Sequence, residues 1–476
     1  MPEATRRDSR QKRQKRPLLK SPRFWVPISI LLLLIVLAAA GGLAAKALAD
    51  RAFAARDALQ AAIPLASTAK KQILDSDTEG AKKTVAELAQ LSEEAREQAD
   101  GGLWRFGEIV PVVGGNLSAV RTVAAAVDEL VDGALVPASQ LSLSSLAPKD
   151  GRIDVSQLGN ASRIVDQAAA AVTDARSSLD EVNRDGLIEQ VSAGVAQLDD
   201  ALAGIEPLIE PAQQTLAVLP GILGADAPRN YLVLVQNNAE SRGTGGNPAS
   251  LVLITADDGA ISITGQASSS DFDNGRPAPV IDLDPATKEL YGDKVGRYMQ
   301  DVTTTPDFAE SSRIMRAFWA EEFESPVDAT VSIDPVALSY LMKATGPVDM
   351  PNGDVLTADN VVSTLLNEVY FRYPDPAVQD AYFAAAAGAV FDSITSVSNP
   401  RALVDEVVRA VDEGRIMYVP ATEEEAEVIG DSRLTGELPA SNEDRTVIGS
   451  YVNDVTEGKL DFYMDTAVTV TSDVCS

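Results

Sequence analysis

Residues 24–45 read FWVPISILLLLIVLAAAGGLAA, 22 consecutive positions without a charged side chain. As a helix rising about 1.5 Å per residue, this run extends roughly 33 Å, enough to cross the hydrocarbon core of a bilayer. A helix apolar on every side has no face to give to water, so the segment is expected to span a membrane. Its flanks are unequal. Residues 1–23 carry nine Lys or Arg against two acids, Glu3 and Asp8, whereas the far side begins with the weaker cluster Lys46, Asp50 and Arg51. The positive-inside bias predicts a cytoplasmic tail (1–23), an anchor (24–45) and an extracytoplasmic remainder, that is, a single-pass protein of the cell membrane. A cleaved signal peptide ending near Ala47-Leu48-Ala49 is the rival reading. Its apolar stretch is usually about 7–15 residues, shorter than this one, so an uncleaved anchor is expected.

Charge narrows the partners. The chain has a net charge of −30, with 40 basic and 70 acidic residues. Setting aside the tail leaves 31 basic against 68 acidic side chains, a net −37 over residues 24–476. Such a body repels phosphate backbones, so nucleic acid is an unsuitable partner. The basic tail is suited to anionic inner-leaflet lipid, or simply fixes topology.

Histidine is absent and the only cysteine is Cys475. Ser-His-Asp and Cys-His catalysis, a His general base, His-ligated zinc and intrachain disulfides are thereby excluded. Any chemistry must use carboxylates, Arg, Lys, Tyr, hydroxyls or a hard metal on oxygen ligands.

Beyond the anchor the chain divides in two. Residues 50–218 are Ala-rich and helically periodic: Val165, Ala168, Val172, Ala175, Leu179 and Val182 step by three and four. Val191, Val195, Leu198, Leu202 and Ile205 repeat the seam, as do Val120, Val123, Val127 and Leu130, and Val85, Leu88 and Leu91. An antiparallel helical bundle next to the membrane is expected, broken at Gly101-Gly102, Pro111–Gly115 and Pro148–Gly151. The stretch from Gly102-Leu103-Trp104 to Gly115 is apolar and broken by Gly and Pro. Two readings stand for it: a plug in the bundle, or insertion in the outer membrane interface.

Residues 222–476 change pattern. Tyr231–Gln236 suits a buried strand, and 250–255 with 261–264 around Asp258-Gly259 a hairpin. Helical signals fall at 310–323, 359–369, 377–393 and 401–413, and strand signals at 329–333, 416–419 and 459–471. This order predicts an α/β domain with a mixed sheet and, for the whole chain, a mixed α+β class. The last strand pattern running to Ser476 suggests a chain that continues.

The richest local cluster is Gln236-Asn237-Asn238-Ala239-Glu240-Ser241-Arg242-Gly243-Thr244-Gly245-Gly246-Asn247. Glycine-rich backbone after a strand can form an anion-binding nest, with Arg242 as a bidentate clamp, although no Walker loop or dinucleotide fingerprint is present. Candidate ligand-binding residues are Asn237, Asn238, Glu240, Arg242, Gly245 and Gly246. A second set, Arg297, Asp301, Asp307 and Arg313, would add positive potential to the same cleft; Asp307 alternatively caps a helix. Asp271, Asp273, Asp282 and Asp284 match no EF-hand spacing and read as a solvated acidic loop.

The stretch Arg229–Arg242 with Thr244-Gly245-Gly246 resembles the core signature of the "domain of unknown function 4012" family of bacterial envelope proteins. Ordered pieces extend the resemblance over most of residues 100–476: Pro306-Asp307-Phe308, Ile333-Asp334-Pro335, Thr345-Gly346-Pro347-Val348, Leu356–Val361, Gly458–Tyr463, and upstream Val110–Gly114. The chain departs at Asn247-Pro248-Ala249, where the family has an aromatic or apolar residue followed by Gly. The segment VDATVSIDPVALSYLMKATGPVDM is similar, more distantly, to a part of LytR-CpsA-Psr phosphotransferases, which share the layout of tail, anchor and extracytoplasmic α/β domain. That analogy implies a polyprenyl-phosphate-linked or wall glycopolymer, gripped by Arg242, Arg297 and Arg313, with Mg²⁺ on Asp301 or Asp307. The alternative is a non-catalytic scaffold binding other envelope proteins.

Overall fold

The computed structural model describes residues 22–75, 77–111, 113–141, 147–149, 151–397, 400–439, 441, 446–455 and 458–471. Most of the basic tail and Cys475 lie outside these ranges. The chain forms two compact units. One comprises the N-terminal segment through Lys70 with 82–136 and 171–203, and the other comprises 71–81, 137–170 and 204–476. The division falls within helices rather than between residues 218 and 222.

In the first unit, α1 (Pro22–Leu74) contains the charge-free run and continues far past it. Its window beginning at Ser29 is long and apolar enough to cross a membrane. α2 (Thr78–Gln98), α3 (Gly102–Glu108) and α4 (Gly114–Leu130) follow, then parts of α5 (Val155–Asp180) and α6 (Glu189–Ile222). Ala55 packs with Ala95 and Ala99, and Ala62 with Leu88, so positions rising along α1 meet positions falling along α2. These are antiparallel neighbours, and Ala at the contacts lets the backbones approach. The expected seams are buried at Val85, Leu88, Val123, Val172, Ala175, Leu179, Val195, Leu198 and Leu202, while Ile205 is exposed.

The second unit is built on a five-stranded mixed sheet. β1 (Arg229–Asn237), β2 (Asn247–Asp257), β3 (Ala260–Ser268), β4 (Ala329–Ile333) and β5 (Ile416–Val419) lie in the order β3-β2-β1-β4-β5. Only β1 and β4 pair in parallel. The β2–β3 turn places Asp258 at φ 46° and Gly259 at φ 79°, the primed geometry that a two-residue hairpin favours. A Cβ on Gly259 would lie 1.9 Å from the Ile153 carbonyl oxygen, which accepts no such approach. Segment 149–153 reaches this turn because the Ile153 amide donates to Gly259 O at 2.8 Å and the Ile261 amide to Gly151 O at 2.8 Å.

Strand alternation gives the sheet two faces. Leu232, Leu234, Leu251 and Leu253 point to one, against Phe272, Met299, Phe308, Ile314, Phe318 and Trp319, several of them from α7 (Phe308–Glu322). Val233, Val235, Val252, Ile254, Ile263 and Ile333 point to the other, beneath α9 (Pro376–Thr395). α8 (Pro335–Thr345) and α10 (Pro400–Asp412) complete the unit, with a small hairpin pairing Val348–Asp349 and Val355–Leu356.

Two local expectations are corrected. The helix expected over 359–369 runs from Val361 to Arg372 and passes through a π turn at Thr364–Glu368. Residues 459–471 form no strand: Leu460–Tyr463 is a 3₁₀ turn, and 464–471 pairs with no strand in the described residues. Alternation alone cannot make a strand. Here the Asp461 and Tyr463 side chains bind the Ser241 amide and Asn367 instead.

Candidate functional site

The loop between β1 and β2 has its amides bound both within itself and by Thr303, Asn453 and Asp461. The amides of Ala239, Glu240, Ser241, Gly243, Thr244, Gly245, Gly246 and Asn247 all donate to protein oxygens. Two acceptors come from far along the chain: Asp461 Oδ2 takes Ser241 N–H at 2.9 Å, and Asn453 Oδ1 takes Gly243 N–H at 3.0 Å. The loop amides thus go to separate acceptors within the protein, and a single one of them, that of Ser241, meets a carboxylate. Glycine is required where the backbone crowds. A Cβ on Gly246 would lie 2.3 Å from Asn237 O, and Gly245 has φ 133°.

The candidate cations do not share one pocket. Arg242 is buried; it donates to the carbonyls of Ser241, at 3.0 Å, and Asp454, and lies 3.8 Å from Asp301. Asp301 also takes Lys294 at 3.0 Å. Arg297 donates to Arg276 O and lies over the Tyr298 ring. Arg313 pairs with Glu310 at 2.8 Å and donates to Asp282 O at 2.6 Å, and Glu310 holds its guanidinium pKa above the usual value. Asp307 caps α7 by accepting from Ala309 and Glu310 amides. Of the acidic loop, Asp271 and Asp284 are capping residues as well. Among the described residues no three acids or cysteines gather as a metal site would require.

Asn237 and Glu240, in contrast, line a cavity of about 330 Å³ with Gln236, Asn247, Ser269, Ser270, Gln300, Tyr370, Gln379, Asp380, Phe383 and Lys459. At its centre Glu240, 3 % exposed, accepts from Lys459 Nζ at 2.6 Å and Asn247 Nδ2 at 2.6 Å. Lys459 Nζ also lies 4.5 Å from the Tyr370 ring centroid, a cation–π contact that shares the charge. To reach both, Lys459 adopts φ 49°, a left-handed conformation uncommon outside glycine. Asn237 Nδ2 donates to Tyr370 Oη at 3.0 Å. Burial, reinforced by the Glu240 charge and opposed by that hydrogen bond, pushes the Tyr370 hydroxyl well above its ordinary pKa. Asn247 Oδ1 is buried without a protein partner. Asn238 points elsewhere, donating at 3.3 Å to Asp334, which also pairs with Arg415 at 2.7 Å.

This polar cavity adjoins an apolar one of about 160 Å³ between the sheet and α9. Val235, Ser250, Leu365 and Phe383 line both. On the α9 side this space is lined by Phe383, Ala386, Ala387, Val390, Phe391 and Ile394. Ala386 and Ala387, between the larger side chains, are too small to fill the gap above the Val and Ile residues of the sheet. Lys459, Tyr370 and Asp380 were not foreseen as site residues. Lys459 had one sequence signal, the Gly458–Tyr463 piece, and stands 219 residues from Glu240; Tyr370 and Asp380 had none.

Residues 226–370 match the model of a protein family described as of unknown function, DUF4012. That segment belongs to the DUF4012 family. It runs from before β1 to Tyr370 and includes the loop, whereas Lys459, Asp461 and α9 lie outside it. Comparison with curated proteins and with solved structures finds no match, the LytR-CpsA-Psr phosphotransferases included.

Proposed function

We propose that this chain is a membrane-tethered binding protein of the cell envelope whose DUF4012-containing unit holds an amphiphile with a hydroxyl-rich head. The reading places the basic tail in the cytoplasm and both units outside. The observation that carries it is the junction of a polar cavity with an apolar one. Amide and hydroxyl groups of Gln236, Asn237, Asn247, Ser269, Ser270 and Gln300 suit sugar hydroxyls, and the space under α9 suits an aliphatic or prenyl chain. Glu240, Asp380 and Lys459 leave the polar end with no excess of positive charge. A glycosyl head therefore fits better than a bare phosphate, and a lipid-linked or wall glycopolymer is the envelope ligand of that chemistry.

The scaffold reading draws support from the β1–β2 loop, whose donors are already occupied. The test that separates them uses the full-length protein in phosphatidylcholine nanodiscs, with empty discs subtracted. A fluorescent decyl glucoside, decanol and decyl phosphate are the probes. The glucoside should bind saturably and tighter than the other two, and Ala387→Phe, which fills the apolar space, should weaken it at least tenfold. No saturable binding of any probe would leave the scaffold.

A further inference from the structure

The turn joining α3 to α4 presents a patch of apolar side chains to the outside. Phe106 is 68 % exposed, Ile109 79 %, Val110 43 % and Val113 46 %, within eight consecutive positions. The same segment also supplies the plug of the bundle. Trp104 is fully buried among Leu48, Ala52, Ala55 and Leu117, and its Nε1 donates to Leu117 O at 3.0 Å. The two readings of this stretch thus fall on different residues: Trp104 turns in, and Phe106, Ile109, Val110 and Val113 turn out.

Where the turn sits on α1 decides what covers the patch. A Cβ on Gly107 would lie 2.7 Å from Leu48 Cδ2 and 2.8 Å from Leu117 Cδ1, so glycine lets the turn press against Leu48. Arg51 donates to Asp100 O at 2.8 Å, fixing the other end of the segment against the next turn of α1. The charge-free run ends at Ala45, and Leu48 lies three residues on, about 4.5 Å along the helix. The headgroup layer on each side of a bilayer is roughly 5–7 Å thick. Once the run lies in a membrane, the turn is held at headgroup depth, continuous with the anchor's own apolar surface. Its charged neighbours are arranged for that layer: Glu108 pairs with Arg121 at 2.6 Å and Arg105 with Asp100 at 3.1 Å.

We propose that the α3–α4 turn is a second membrane contact, inserting Phe106, Ile109, Val110 and Val113 into the leaflet from which α1 emerges. An interfacial apolar face sinks about 5–10 Å into the headgroup and acyl boundary, a depth these side chains reach from the level of Leu48. The occupant is the bilayer rather than another protein, because Gly107 of the turn packs on Leu48, three residues past the charge-free run of the one helix, among the described residues, that is long and apolar enough to cross a membrane.

The test places an environment-sensitive fluorophore on single cysteines in a Cys475→Ser background of the full-length protein, in nanodiscs with doxyl-labelled phosphatidylcholine. Positions are Ile109→Cys, Leu37→Cys within the run, and Glu181→Cys on exposed α5–α6 surface. The proposal expects Ile109 to be blue-shifted and quenched most by a shallow doxyl group, Leu37 most by a deep one, and Glu181 by neither. Quenching at Leu37 with an Ile109 signal equal to that of Glu181 would overturn the second contact and keep the anchor. Absence of quenching at all three would overturn both. Unchanged thermal melting of each labelled variant shows that the bundle is intact.

Discussion

The two faces of the central sheet carry similar residues and are packed differently. On one, Leu232, Leu234, Leu251 and Leu253 are covered by Phe308, Phe318, Trp319 and Met299, and no member of that cluster exceeds 8 % exposure. On the other, Val233, Val252 and Ile254 face Ala386 and Ala387 of α9, set between Phe383, Val390, Phe391 and Ile394, and an apolar space remains. Strand pattern alone would make both faces core. The difference lies in the covering layer: aromatics seal one face, and on the other two alanines of α9 stand between larger side chains and leave a space.

The comparison sharpens most under truncation of the sealed face. Leu234→Ala should cost about 3 kcal/mol, since the transfer term and a fresh cavity add together, read by chemical denaturation of the detergent-solubilised protein. At the rim of the open face, Lys459→Met leaves Glu240 buried without its cation. A full buried-pair penalty is discounted because the lysine is 33 % exposed, giving about 2 kcal/mol. Val233→Ala on the open face should cost only about 1 kcal/mol, because that side chain already borders empty space. Equal losses for Leu234→Ala and Val233→Ala would show that the second face closes in solution.

The smallest effect is a slope with pH. Asp334, at the end of β4, has its carboxyl pKa raised by burial, against the pull of Arg415 and the Ala337 amide. A raised folded-state pKa means the native protein binds this proton before the unfolded chain does, so the ionised group opposes folding above that pKa. Its penalty fades as pH falls through it. The melting temperature of wild type minus that of Asp334→Asn should therefore increase between pH 7 and pH 4.5. A decrease would mean that Arg415 outweighs burial.

Much of the architecture was legible in the residues. β1, β2, β3 and β4 announced themselves as short apolar, β-branched runs, the hairpin by Asp258-Gly259, and the bundle by its three-and-four seams. The site was legible only in part. Asn237 and Glu240 lie on the loop that drew attention, but their partners Tyr370 and Lys459 are 133 and 219 positions away, beyond any local pattern. Of the two carbonyls that Arg242 binds, that of Ser241 is adjacent, but that of Asp454 is 212 positions away and equally hidden from local pattern. Arg313 was the readable exception, since Glu310 stands one helical turn before it. The apolar space was invisible because a void belongs to no residue; it arises from the mismatch between two elements.

The length of α1 has a mechanical consequence. A 53-residue helix is about 80 Å long, and this one passes from its charge-free run into the packed bundle with no intervening linker. Were the charge-free end held in a bilayer, a tilt or rotation there would reach the bundle through continuous helix rather than through a linker. Gly41-Gly42, with its freer backbone, and Pro64, which lacks an amide donor, are the points where the sequence weakens that shaft.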